Sequence, residues 1–286
     1  MKGSGMTGRI PSKFKSIQSS IFCAVSILVL SAVLVVTLVS LRYTNSSIYE
    51  NSVMYTQTII KQLDQNIDSY ISYMDNIASV IAGSGDAYKY LYRENVHGST
   101  EDENYSAYRQ RLVEQFKTIL KGRDDIRNIG IVRADKNSPS LFDNGVSVRN
   151  AYLDLNTQAW YADAVGKYDQ YNLTSSHVQN VIKGERPWVI TLSRGIRNYT
   201  GTTADDGVVF LDLNDSAISE LCAQSSMGDK GYVFILDQDG NIVYHPRQQQ
   251  LYNELQTENI SLVMNAGSDI VTVGKGDDEK IYALSH

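Results

Sequence analysis

The side chains best suited to chemistry in this chain are few, and they point to binding rather than turnover. Trp160 and Tyr161 stand side by side in NTQAWYADAVG and offer flat faces to a sugar, an amine or a planar ring. Asp212, inside the apolar pattern GVVFLDL, can accept from a hydroxyl or an ammonium. In purely structural roles, Trp160 would be core and Asp212 would hold a turn. Asp237-Gln238-Asp239-Gly240 resembles the start of a calcium loop, but without a third ligand or a closing Glu it reads as a hairpin turn. His97, His177, His245 and His286 lie far apart, with no H-x-x-x-H or H-E-x-x-H spacing, so zinc chemistry finds no support. G-x-S-x-G, a P-loop and a glycine-rich ATP lid are absent from the sequence, and nothing in the pattern forms an active site.

The elements that must position these residues begin with one apolar run, Ile21 to Leu41, which carries no charge. As a helix it spans roughly 30 Å, the thickness of a bilayer's hydrocarbon core. Lys2, Arg9, Lys13 and Lys15 precede it and Arg42 alone follows, so the positive-inside rule puts the N-terminus in the cytoplasm and the rest outside. The run is longer than a signal peptide's apolar region and no A-x-A site follows, which predicts an uncleaved anchor. Setting aside those five basic residues leaves 21 of the 26 against 32 acidic ones, a net charge of −11 on the exported part. Such a surface repels nucleic acid. Cys23 lies in the apolar run, so Cys222 has no exported partner for an intrachain disulfide; it is expected to be a small buried residue.

From Tyr43 to Ala82 there is neither Pro nor Gly. Ile60, Ile67, Met74 and Ile81 fall seven apart, with Leu63, Tyr70 and Ile77 between them, a seam on a long helix that can pair with a second copy or pack on the chain's own domain. Gly83-Ser84-Gly85 ends it. Asp86 is expected to cap a helix AYKYLYREN, and HGSTEDEN to be a loop before the helix YSAYRQRLVEQFKTIL. IRNIGIVRAD reads as a strand and SPSLFDNGVSV as a turn with a short hairpin. PWVITLSRGIR reads as a strand with Trp188, Ile190 and Leu192 on one face and Val189, Thr191 and Ser193 on the other. NYTGTTADDG turns into the strand GVVFLDL, and Asn214 caps the helix DSAISELCAQ. A second α/β unit follows: GYVFILD and NIVYHP form a hairpin, a polar helical stretch comes next, and IVTVGKGDDEKIYALSH forms another hairpin. An apparent strand at the very end would leave a ladder unpaired, so a truncated chain lacking at least one strand is expected.

In order, W-Y-x-x-A, P-W-V-I-T-L-S-R-G-I, G-V-V-F-L-D-L and G-Y-V-F-I-L-D-x-D-G-x-I-V-Y-H-P behind an anchor and a long helix resemble the double-Cache extracellular sensor domains of bacterial transmembrane receptors. The anchor and helix look most like YesM-type sensor histidine kinases of Gram-positive bacteria. The resemblance implies an α+β fold, a transmembrane helix continuing beside two tandem PAS-like antiparallel units. It divides the chain into a cytoplasmic basic segment (1–16), an anchor (17–41), a long exported helix (42–83), a membrane-distal ligand-binding unit (84–225) and an incomplete membrane-proximal unit (226–286).

It also implies a site. Amino-acid-sensing members carry an Arg two residues before the W-Y pair, where this chain has Gln158; their Tyr and Asp two apart have His177 and Gln179 as nearest matches, and Asp212 matches an amine-binding Asp. The expected ligand-binding residues are therefore Trp160, Tyr161, Asp212, Gln158, His177 and Gln179. Without the Arg a free α-carboxylate loses a bidentate contact, so a sugar or a small amine is favoured over an amino acid. His245 before Pro246 is expected to be structural. The implied function is the sensing part of a membrane-bound two-component sensor histidine kinase. Its partners would be a small-molecule ligand, the membrane, a second copy in a homodimer and a response regulator, without nucleic acid. No cofactor is expected in this chain, ATP and Mg belonging to the missing kinase module. The sensor of a chemotaxis receptor or a nucleotide cyclase is the alternative, and an anchored surface hydrolase a remote one.

Overall fold

The computed structural model describes residues 17–92, 99–135, 138–143, 145–199, 206–223, 231–237, 239–247, 258–274 and 280–285. The basic segment 1–16, the turn at 200–205, the polar stretch 248–257, and His97, Gln238 and His286 lie outside them. Helix α1 (Ile17–Ala82) is continuous through the apolar run and the heptad seam. The chain divides into two contact units within this helix, Met1–Thr56 and Gln57–His286. In the first unit the helix is long and apolar enough to cross a membrane. Its hydroxyls bond back along the helix, Ser31 to the Leu28 carbonyl at 2.8 Å and Thr37 to that of Val33 at 2.8 Å, which makes them cheap in lipid.

In the second unit the seam meets the chain's own core. Leu63, Met74 and Ile81 are buried, joined by Ile71 and Ala78, while Ile67, Tyr70 and Ile77 pack against them. α2 (Gly85–Leu91) and α3 (Ser99–Lys121) complete this helical layer. The cap of α2 is Ser84 rather than Asp86: Ser84 has extended backbone angles, and its hydroxyl accepts from the Asp86 amide. Asp86 instead makes a two-pronged pair with Arg111 of α3. α3 also starts earlier than expected, the STEDEN stretch being its first turns rather than a loop.

The helices cover one face of a five-stranded antiparallel sheet in the order β2-β1-β5-β4-β3. Its strands are β1 (Ile126–Arg133), β2 (Leu141–Phe142), β3 (Asn172–Val178), β4 (Trp188–Ile196) and β5 (Gly207–Asn214). Alternation sends Ile129, Ile131, Ile190, Leu192, Val209 and Leu211 into the helical layer. The opposite face, with Val132, Val208 and Phe210, meets η1 (Leu155–Thr157) and α4 (Ala159–Ala162) in a second core around Trp160 and Tyr161. Gly130 is required there: a Cβ would lie 2.6 Å from the Phe210 ring and 2.8 Å from that of Phe142.

Two strand expectations change. The hairpin after β2 does not form, because Asp143 turns the chain at φ 34°. Its amide donates to the Ile129 carbonyl and its carboxylate accepts the Ile129 amide, which uses up the strand edge. β3, NLTSSHV, was not expected; only half-buried and rich in Ser and Thr, it carries little apolar alternation. α5 (Asp215–Ala223) follows β5 directly at Asn214, with Cys222 buried. Among its described residues the C-terminal part holds two separate hairpins, β6 (Ile235–Leu236) with β7 (Ile242–Tyr244), and β8 (Ile270–Val273) with β9 (Lys280–Ala283), and between them α6 (Ile260–Met264). The Asp237 carboxylate accepts the Asp239 and Asn241 amides, so it closes a turn.

Candidate functional site

Alternation along three adjacent strands brings polar side chains to one spot on the α4 face. In register, Asn128 of β1 lies opposite Asp212 of β5, which lies opposite Thr191 of β4. Asp212 is fully buried. Its Oδ1 accepts from the Thr191 hydroxyl at 2.7 Å and from Gln179 Nε2 at 3.0 Å, and its Oδ2 accepts from Asn128 Nδ2 at 3.1 Å. Gln179 is itself held, its Oε1 accepting the amides of Asn180 and Val181.

All three donors to Asp212 are neutral. Burial pushes its carboxyl well above the usual carboxylate range, opposed by the bonds from Thr191, Gln179 and Asn128 and by nearby His177. A carboxylate offers about four acceptor positions, and three are used here, which leaves one on Oδ2. His177 reaches the group through Thr191, its Nε2 lying 3.4 Å from the Thr191 hydroxyl while Nδ1 sits 2.8 Å from the Ser175 carbonyl.

Trp160 shares this face. Its carbonyl accepts from the Ser193 hydroxyl at 2.6 Å, and its ring lies 4.9 Å from that of Phe210. The indole is 1% exposed, and its Nε1 is buried with no hydrogen-bond partner among the described residues. An orphaned donor of this kind costs about 1–3 kcal/mol unless a partner arrives. Among the described residues the face therefore offers an open acceptor position on Asp212 and an open donor on Trp160.

Two expected residues sit elsewhere. Tyr161 is fully buried, but its hydroxyl accepts the Ala134 amide at 2.7 Å and donates to the Asp206 carbonyl at 3.0 Å. That ties β1 and β5 to α4 and leaves the ring edge-on to Trp160 rather than offering it as a platform. Burial pushes its hydroxyl up to about 12. Gln158 is the backbone cap of α4, and its side-chain amide bonds to the neighbouring Thr157 hydroxyl at 3.1 Å, with no contact to Asp212. Thr191 and Asn128 were missed as site residues. An Asn inside the apolar run of β1 was the available signal; which residue it faces depends on strand register, which the sequence does not carry.

Residues 44–286 match the model of a Cache domain family, dCache_1. The chain is 24% identical over 237 residues to the methyl-accepting chemotaxis protein McpC of Bacillus subtilis, a match covering 82% of this chain but only about a third (33%) of that protein. Among solved structures, the ligand-binding domain of the Campylobacter jejuni chemoreceptor Tlp3, in complex with 4-methylisoleucine, aligns with a TM-score of 0.55 at 15% identity, over 82% of this chain and 85% of that one. That of the Pseudomonas fluorescens chemoreceptor CtaA, in complex with L-isoleucine, aligns with a TM-score of 0.55 at 16% identity, over 82% and 86%. At these identities the solved structures speak for the fold, and the family match covers most of the sequence: this chain belongs to the Cache domain family.

Proposed function

We propose that this chain is the extracellular ligand-sensing part of a membrane-anchored bacterial receptor, with its ligand on the α4 face of the five-stranded sheet. The observation that carries this is Asp212, a fully buried carboxylate held only by neutral donors and with one acceptor position open. Such a group gains most from a ligand that brings a positive charge, because an opposite charge offsets the cost of burying its own. An ammonium therefore fits better than a neutral sugar, and the sugar preference is dropped.

The buried Trp160 Nε1 asks for an acceptor on the same ligand. A small molecule with both an ammonium and an acceptor is an amino acid or a close derivative. The amino acids bound by the chemoreceptor domains of similar fold weigh in the same direction. Gln158 lies against Thr157, so the acceptor end is held differently from the arginine clamp the family resemblance implies. Asp212, Gln179, Thr191 and Asn128 form the ammonium end, Trp160 the other wall, His177 acts through Thr191, and Tyr161 positions the wall.

The apolar part of α1 is the anchor, residues 84–225 the distal unit and 226–286 the proximal one. For output, a YesM-type histidine kinase and a chemotaxis receptor stand level: the anchor and helix favour the first, and the likeness to McpC the second. Coding sequence found downstream of residue 286 would decide between them. The sensing claim is tested by thermal shift on the purified protein in detergent, screened against amino acids, simple amines and sugars. Stabilisation by ammonium-bearing compounds is expected, and stabilisation by sugars alone would overturn it.

A further inference from the structure

The two C-terminal hairpins share no hydrogen-bonded ladder among the described residues, so something else must hold them together. The joint is Glu258, whose side chain is wholly buried immediately ahead of α6. Its Oε1 accepts from the Tyr232 hydroxyl at 2.5 Å and lies 3.4 Å from His245 Nε2. Its Oε2 accepts from the Tyr282 hydroxyl at 3.1 Å and faces Lys280 Nζ at 3.6 Å. Tyr232 and His245 flank the β6–β7 hairpin, whereas Lys280 and Tyr282 lie on β9. One carboxylate thus gathers groups from both.

The protonation state of His245 is written into this arrangement. The Arg247 amide donates to His245 Nδ1 at 2.9 Å, so Nδ1 is an acceptor and the ring's single proton sits on Nε2, towards Glu258. A second proton can enter only at Nδ1, and there it meets the Arg247 N–H head on. We propose that this cluster is a proton-operated latch: a proton taken up at His245 Nδ1 breaks the ring's bond to the Arg247 amide and leaves a charged imidazolium in a buried site, which favours an open state in which the β6–β7 hairpin leaves Glu258 and, with it, the β8–β9 hairpin.

The groups facing His245 set the pH of release. Burial acts most strongly and holds the imidazole below its ordinary value; Glu258 opposes this, while Arg247 and Lys280 reinforce it. Tyr232 and Tyr282 are neutral donors, and the Tyr232 hydroxyl is pushed above its usual range, mainly by burial. The Phe234 ring, 5.7 Å from that of His245, adds to the apolar wall. The sign follows: a histidine held below its ordinary value supports the closed state above about pH 6.5, and that support is lost as the pH falls. Each pH unit below that point favours the open state by up to about tenfold.

The test is hydrogen–deuterium exchange on the purified protein in lipid nanodiscs at about pH 7.5 and about pH 5.5, corrected for intrinsic exchange rates. Peptides covering β6–β7 and β8–β9 should lose about tenfold in protection at the lower pH, and those covering β1, β4 and β5 should not. His245→Gln should remove the response. A variant carrying His97→Gln, His177→Gln and His286→Gln, which leaves His245 as the only histidine of the four, should keep it. Equal protection of the hairpins at both pH values in the native protein overturns the latch, as does a response that survives His245→Gln or vanishes in the triple variant. If His245→Gln does not fold, the native and triple-variant measurements decide the matter without it.

Discussion

Asp212 and Glu258 are both buried carboxylates, and their surroundings differ in one respect. Asp212 is ringed by an alcohol and two amides, all neutral. Glu258 has two tyrosine hydroxyls and an imidazole, but also the Lys280 ammonium, brought in by β9 from a half-exposed position. Among the described residues no cation bonds the first carboxyl, which His177 reaches only through Thr191, whereas the second faces an ammonium directly. Burial alone therefore does not single out the proposed binding site; burial without a directly bonded counter-charge does. On the proposed reading the same difference makes the sheet face a place for a ligand and the hairpin junction a place for a joint.

The comparison can be broken most forcefully at Trp160, a wall of the first carboxylate's face with no equivalent at the second. Trp160→Ala should cost about 3–5 kcal/mol of stability in a denaturant titration, because the buried indole leaves a cavity between α4 and Phe210. A cost below 1 kcal/mol would mean that the α4 face is not packed as described. Glu258→Gln should come next, lowering stability by about 2 kcal/mol through loss of charged acceptors in a buried site. Asp212→Asn should act in the opposite direction. It removes an acidic group that only neutral donors contact directly among the described residues, so the unliganded protein should gain about 1 kcal/mol at neutral pH, read as a higher melting temperature. If the two substitutions shift stability in the same direction, the distinction between the two carboxylates fails.

The smallest effect sharpens the comparison through pH. Burial pushes Asp143, at the turn after β2, up to about 6. A raised carboxyl stabilises below its ordinary value, and that contribution is lost as the pH rises through about 6. His245 has the reverse slope, gaining as the pH rises. Exchange protection of β1 and β2 should therefore fall from about pH 5 to pH 7 while that of the C-terminal hairpins climbs. Asp143→Asn should flatten the first trend alone, Asn tolerating the positive φ.

Much of this architecture was legible in the sequence. The apolar run, the seam ending at Ile81, and the strands around Ile131, Ile190 and Val209 are written as periodicity; what the seam packs against is not, and the burial of Leu63, Met74 and Ile81 in the domain core supplies it. The family resemblance named Trp160, Gln179 and Asp212, and the structure brings all three to the α4 face. What stayed hidden depends on register and local competition. Asn128 and Thr191 enter the proposed site only because they flank Asp212 across the ladder. Tyr161 looks like a platform until the Ala134 amide and the Asp206 carbonyl claim its hydroxyl. Ser84 outcompetes Asp86 for the cap because Arg111, distant in sequence, engages the Asp86 carboxylate.

The claim that a ligand ammonium completes Asp212 is tested most directly by calorimetric titration with matched sets: L-valine, isobutylamine (its decarboxylated form) and isovaleric acid (its deaminated form), with the corresponding set for any other amino acid that the thermal screen selects. The account predicts that within the productive set the amino acid binds, that the deaminated acid does not, and that Asp212→Asn abolishes the heat of binding. A deaminated compound that binds as tightly as its parent, or undiminished binding to Asp212→Asn, would contradict it.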